Sequence, residues 1–166
     1  MSAAATAGED AVWRALEDVS DPELPVLSVV DLGLVHEVRV EGLRARIRFT
    51  PTFVGCPAVD QMRLLMADAV RGLGLEPDVD TTFDAIWTSD LITDAGRRKL
   101  AEAGIAPPPG DAPVRTGLAL PVRAVATCPN CGSDDTRRDN VFGPTPCRAI
   151  WYCNACRQPF EGFKAV

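Results

Sequence analysis

The chain has one histidine and one tyrosine in 166 residues, and aromatic side chains make up only 6% of it. A single imidazole, His36, excludes hydrolases built on histidine pairs. It also excludes the paired Glu-x-x-His motifs with which di-iron carboxylate oxygenases hold their metals. No glycine-rich phosphate loop or dinucleotide fingerprint occurs. No apolar run approaches the length of a bilayer span, and residues 1–8 lack the basic flank and long apolar run of a secretory signal. These absences predict a soluble, cytoplasmic protein with reduced cysteines and no membrane partner. Positive charge is scarce too. Residues 1–104 carry 10 Lys+Arg against 18 Asp+Glu, and residues 105–166 carry 7 against 5, within a formal total of -6. Four ligating thiolates and one divalent ion would cancel the small excess of the tail. No cationic footprint for phosphate remains, so nucleic acid is not an expected partner.

What the chain does have is patterned cysteine. Cys128-Pro-Asn-Cys131 and Cys153-Asn-Ala-Cys156 form two Cys-x-x-Cys pairs with twenty-one residues between them. Two sulfurs three residues apart on a tight turn can share one ion, and a second pair completes a tetrahedron. Gly132 suits the tight backbone after the first pair. The separation is slightly longer than in most zinc ribbons. Zinc fits better than a single iron, although spacing does not decide between them. Two disulfides are the alternative, favoured only in an oxidising compartment. A closed four-cysteine site is architectural, with no open position for substrate.

The 46% hydrophobic content supports one ordinary domain plus a small appendage. Val12, Trp13, Leu16 and Val19 share one face of a helix over Glu9 to Val19, which Asp21-Pro22 stops. An acidic turn around Asp21, Glu23 and Asp31 follows, whose plainest reading is a turn with caps. Leu34 to Val40 and Leu43 to Thr50 read as a hairpin about Glu41-Gly42. Ala45, Ile47 and Phe49 face the core there, and Arg44, Arg46 and Arg48 face Glu37 and Glu41. His36 reads as a packed or edge residue rather than a ligand. The loop from Thr50 through Thr52 to Pro57 enters a helix bearing Val59, Met62, Leu65, Met66, Ala69, Val70 and Leu73. Pro57 fits the first helical position, which places Cys56 at or beside the N-cap, where the helix dipole favours its thiolate. Asp60 opposes this, and a buried inert cysteine is the competing reading. A strand from Val79 to Trp87, a helix from Thr93-Asp94 to Ala103 and a proline-rich linker from Ile105 come next. Leu118 to Ala126 reads as the first strand of the ribbon. A turn from Phe142 to Cys147 adds a further thiol, and Ile150-Trp151-Tyr152 leads back to the second cysteine pair. The expected division is therefore a flexible 1–8, a domain over 9–104, a linker over 105–117 and a four-cysteine module over 118–166.

Asp21-Pro22-Glu23, Val30-Asp31-Leu32-Gly33-Leu34-Val35, Thr50-Pro51-Thr52 and Gly55-Cys56-Pro57 together resemble the iron-sulfur cluster assembly family that includes bacterial SufT. The tail resembles the PaaD (PaaJ) family of phenylacetyl-CoA epoxidase accessory subunits. That likeness rests on Cys128 to Ser133, Phe142 to Thr145, Cys147-Arg148-Ala149, Cys153 to Cys156, Pro159-Phe160 and Phe163-Lys164. The resemblance implies an α+β fold: a small iron-sulfur-assembly-type α/β sandwich, then a zinc-ribbon-like β module. It implies an accessory role in maturing or repairing the metal centres of a multicomponent oxygenase active in aerobic phenylacetate degradation. The implied partners are a di-iron hydroxylase, an iron-sulfur flavin reductase and iron-sulfur assembly proteins; a homodimer is left open. The family's cluster-linked cysteine maps onto Cys56 and its acidic motif onto Asp21, Glu23 and Asp31.

Three functions follow in order. The first is a non-catalytic metallochaperone in which Cys56 and nearby carboxylates transiently hold iron or an iron-sulfur cluster, with Thr52 beside them and Cys147 as a further candidate ligand, while Cys128, Cys131, Cys153 and Cys156 hold structural zinc. The second is a structural adaptor tethering oxygenase subunits. The third, a cysteine-dependent enzyme, lacks an identifiable base.

Overall fold

The computed structural model describes residues 7–84, 86–108 and 125–165. Two compact units divide the chain. The first runs to Trp87 and includes Leu91–Gly96; the second comprises Thr88–Asp90 and the chain from Arg97 onward.

In the first unit, α1 (Glu9–Glu17) buries Val12 and Leu16 completely and leaves Trp13 half-buried. It ends before the proline is reached: the Asp18 and Val19 N–H groups close it on the Ala15 and Leu16 carbonyls. The chain then enters β1 (Ser20–Asp21), antiparallel to β2 (Leu24–Ser28). The main sheet has the order β3 (Val35–Glu41), β4 (Arg44–Phe49), β5 (Glu76–Thr81), with β3 antiparallel and β5 parallel to β4. A bulge between Val35 and Glu37 turns His36 outward, so it does not share the face of Val38 as strict alternation would require.

Ala45, Ile47 and Phe49 are wholly buried, as their alternation predicts. The arginines of the opposite face find their partners mostly on β5. Arg44 pairs with Glu76 at 3.6 Å and Arg46 with Asp78 at 3.1 Å. Arg48 reaches Asp84 at 2.9 Å, Glu37 at 3.8 Å and Asp80 at 4.0 Å. The parallel register sets each arginine opposite an acid. Water screens such exposed pairs, so they orient the strands more than they stabilise them.

The crossover from β4 to β5 is α2 (Val59–Gly72), which buries Met62, Met66, Ala67 and Val70. Leu65 is exposed rather than part of the buried stripe, because the four-residue spacing of Met62, Met66 and Val70 sets the inward face. The strand expected to run to Trp87 ends at Thr81. Thr81 lies opposite Phe49, the last residue of β4, and beyond it no ladder partner remains. Thr82 instead locks the strand ends together: its N–H donates to the Phe49 carbonyl, and its own carbonyl accepts the Thr50 hydroxyl at 2.8 Å. Phe83 is exposed, Ala85 lies outside the described residues, and Trp87 is buried with its indole N–H on the Leu32 carbonyl at 2.8 Å. Gly33 has a φ of 64°, and a Cβ there would collide with the Leu91 carbonyl, so only glycine fits this turn. A turn of 3-10 helix, Ser89–Leu91, precedes α3 (Asp94–Glu102), which Thr93 opens by accepting the Gly96 N–H at 3.0 Å.

Among the described residues the second unit carries a four-stranded sheet in the order β6 (Ile105–Ala106), β9 (Pro159–Phe163), β8 (Arg148–Cys153), β7 (Thr136–Asn140). β6 corrects the expected linker. Ile105 and Ala106 pair in parallel with Glu161 and Gly162, a partner that local sequence cannot announce. Residues 109–117 of that linker and 118–124 of the expected first ribbon strand lie outside the described residues, and Val125 and Ala126 are not in a strand. Ala106, Ala126, Cys128, Ala149, Trp151, Cys153 and Phe160 form a small core in which the Trp151 and Phe160 rings stack with centroids 6.5 Å apart.

Candidate metal centre and thiol site

Each cysteine pair sits on the same backbone turn. The Cys128 carbonyl accepts the Gly132 N–H at 2.8 Å, and the Cys153 carbonyl accepts the Arg157 N–H at 2.9 Å. Both fourth-following residues lie in the left-handed region, Gly132 at φ 74° and Arg157 at φ 61°. Arg157 escaped the sequence reading, although the position of Gly132 in the first pair could have pointed to it. The turns are then tied by the Cys128 N–H to the Ser133 carbonyl and the Cys153 N–H to the Gln158 carbonyl.

The four sulfurs lie within 4.8 Å of one another. Cys128 and Cys156 are 3.7 Å apart, and Cys131 and Cys153 are 3.6 Å apart. A tetrahedron with metal–sulfur bonds of about 2.3 Å has edges of about 3.8 Å, so the quartet fits a zinc-sized ion. A disulfide would need about 2.05 Å, and none forms among the described residues, which include all six cysteines. Cys128 and Cys153 are buried, Cys156 is half-buried and Cys131 is exposed.

Three of the thiols differ in how firmly they hold their protons. The Cys156 N–H, 3.5 Å from the Cys153 sulfur, is the largest influence holding Cys153 down to about 7. Desolvation pushes Cys156 up to about 12. The Ser133 N–H lowers Cys131, but desolvation and the thiols of Cys153 and Cys128 outweigh it and leave Cys131 raised. Four thiolates this close repel one another, and a bound cation would remove that penalty.

Cys56 lies elsewhere, in the loop between β4 and α2. Its N–H donates to the Phe53 carbonyl at 3.3 Å, and Gly55, at φ 90°, makes that turn. The helix starts later than expected: Ala58 is the N-cap, so Pro57 precedes the cap and Cys56 stands two residues before it. The Cys56 carbonyl accepts the Val59 N–H at 3.3 Å, while the first α-helical bond runs from Met62 to Ala58. Cys56 is buried, with 9% relative exposure for the residue, and the helix dipole acts on its thiol from farther away than a capping position would allow. Thr52 is half-buried in the same loop.

The acidic residues serve turns. Asp21 Oδ1 accepts the Glu23 and Leu24 N–H groups at 2.7 and 3.0 Å. Asp31 Oδ2 accepts the Ser28 N–H at 2.9 Å, and Ser28 Oγ accepts the Asp31 N–H at 3.0 Å. Glu23 is half-buried in the first of these turns. Among the described residues, the ribbon sulfurs form a cluster of at least three ligand atoms, whereas Asp21, Glu23, Asp31 and Cys56 are not gathered in one. Cys147 precedes β8 and Cys153 ends it, which sets them about 20 Å apart at about 3.3 Å per residue. A packed thiol beside the metal quartet is therefore not its place. Its sulfur is 3.1 Å from Thr145 Oγ1.

Residues 9–81 match the family described as "Iron-sulfur cluster assembly protein", and residues 113–164 match the "PaaD zinc beta ribbon domain". A protein of Escherichia coli (strain K12), named provisionally as one of the subunits of 1,2-phenylacetyl-CoA epoxidase, is 38% identical over 93% of this chain and 92% of its own length. The chain belongs to the PaaD family. Its α+β fold has a structural counterpart in a conserved hypothetical protein of Thermotoga maritima, 27% identical with a TM-score of 0.51, covering 59% of this chain and 98% of that one. The ribbon match spans all four cysteines of the quartet, and the assembly-type match spans the loop that bears Cys56. Among the described residues no helix is long and apolar enough to cross a membrane.

Proposed function

We propose that this chain is a non-catalytic accessory protein that matures or repairs the iron-sulfur or di-iron centres of a phenylacetyl-CoA epoxidase in the cytoplasm. The observation that carries the reading is the recessed Cys56 thiol on the loop before α2, within a domain of iron-sulfur assembly type. Thiolates bind iron and clusters, and a site with few protein ligands leaves positions through which a recipient takes the cargo. Cys128, Cys131, Cys153 and Cys156 hold zinc in this reading, and the ion gives the small sheet a defined shape. Asp21, Glu23, Asp31, Thr52 and Cys147 remain candidate contributors to transfer. The functional division is an assembly domain from residue 9 and a ribbon that ends near the C-terminus.

Anaerobic reconstitution with iron and sulfide tests the reading. The expected result is thiolate-to-iron charge-transfer absorption that disappears in Cys56→Ala while zinc content stays the same. Absorption independent of Cys56, together with equal iron loading of the epoxidase subunits in matched lysates, would remove that residue from the mechanism. The adaptor reading is favoured by one observation: the carboxylates of Asp21 and Asp31 already cap backbone turns. An adaptor would bind the epoxidase subunits normally with Cys56 replaced.

A further inference from the structure

We propose that Cys131 is an oxidative modification site, at which hydrogen peroxide opens the metal centre by driving formation of a Cys131–Cys153 disulfide. The inference rests on the reading of the quartet as a metal site. Its carrying observation is asymmetry of access. Cys128 and Cys153 are 1% and 0% exposed, and Cys156 is half-buried, whereas Cys131 faces solvent. Oxidation of cysteine follows thiolate character and exposure, and a bound cation maintains the thiolate form. An oxidant arriving from water therefore meets the Cys131 sulfur first.

The resolving sulfur is already at hand. Cys153 Sγ is 3.6 Å from Cys131 Sγ and belongs to the other knuckle, so the new bond would join the two turns. In the first step Cys131 Sγ attacks one peroxide oxygen. The S–O bond forms, the O–O bond breaks, and the leaving hydroxide takes a proton to become water. In the second step Cys153 Sγ attacks the Cys131 sulfur. The S–S bond forms and the S–O bond breaks, and the second oxygen leaves as water after protonation. The two thiolates together lose two electrons and the peroxide gains two. The ion keeps only Cys128 and Cys156 and is released. Because Cys128 and Cys153 also line the small core with Trp151 and Phe160, release loosens the packing of the ribbon.

The test begins with the metal content of the full-length chain purified without air. A chain holding no metal would overturn both the metal reading and this proposal before any oxidant is added. With metal present, hydrogen peroxide is titrated in the presence of a colour-forming zinc chelator, and a sulfenic-acid trap followed by peptide mass mapping locates the first adduct. The expected result is a first adduct on Cys131, a Cys131–Cys153 disulfide without the trap, and release slowed at least tenfold in Cys131→His, which preserves four ligands. A first adduct on Cys128, Cys153 or Cys156, or release from the histidine variant at the wild-type rate, would overturn the proposal while leaving the metal reading intact. Should the variant fail to retain the ion, the adduct map on the wild-type chain decides alone.

Discussion

Although His36 faces outward, partial desolvation on the edge strand and the Arg48 charge hold its imidazole below the ordinary value of 6.5. Its neutral form is therefore favoured in the fold, and the unfolded chain binds the proton more readily as pH falls through that value. The stability contribution is complete above the ordinary value and is lost as pH drops to the folded one. Urea midpoints measured from pH 7.5 to 5 should decline, and His36→Gln should flatten the decline. Asp31 offers a second check at this scale. Its carboxylate and Ser28 cap one another's backbone N–H groups, so Asp31→Ala should destabilise the chain by about 0.5–2 kcal/mol, read from denaturant unfolding. The acidic pattern was legible in the sequence. Its use as turn caps was legible only as the plainer of two readings, because a short carboxylate can serve its own backbone or a metal and residue identity does not choose.

Among the elements, the hairpin of β3 and β4 follows directly from alternation, since a half-buried strand must place every second side chain inward. The length of β5 does not. Val79, Thr81, Phe83, Ala85 and Trp87 alternate well beyond Thr81, yet pairing stops where β4 ends. The Leu32-Gly33-Leu34 turn shows the same dependence on distant chain. Gly33 combines a left-handed backbone with contact against the Leu91 carbonyl, so Gly33→Ala should lower the urea midpoint substantially, by about 1–2 kcal/mol from the backbone alone and more from the clash. The knuckles give a converse test. Arg157 adopts at φ 61° what Gly132 adopts at φ 74°, so Arg157→Gly should leave the metal-bound ribbon as stable or about 1 kcal/mol more stable, measured by thermal melting in excess zinc.

For the molecule as a whole, the two units predict two responses to chelation. Removing the ion under reducing conditions should abolish the near-ultraviolet signal of Trp151, which packs beside Cys128 and Cys153, while α1, α2 and the first sheet keep their far-ultraviolet signal. A single concerted loss of both signals would argue that the units do not unfold separately. The cysteine spacing, the helix periodicities and the alternation of β4 were determined by the sequence alone, because each depends on neighbours within a few residues. Tertiary structure decided where α2 begins, which acids meet Arg44, Arg46 and Arg48, and that Ile105 and Ala106 join the ribbon sheet. It also placed Cys147 at the far end of β8 and left Cys131 as the exposed sulfur. The physical reason is common to these cases. Pairing, burial and exposure are set by chain segments tens of residues away, and no local pattern records which segment will arrive.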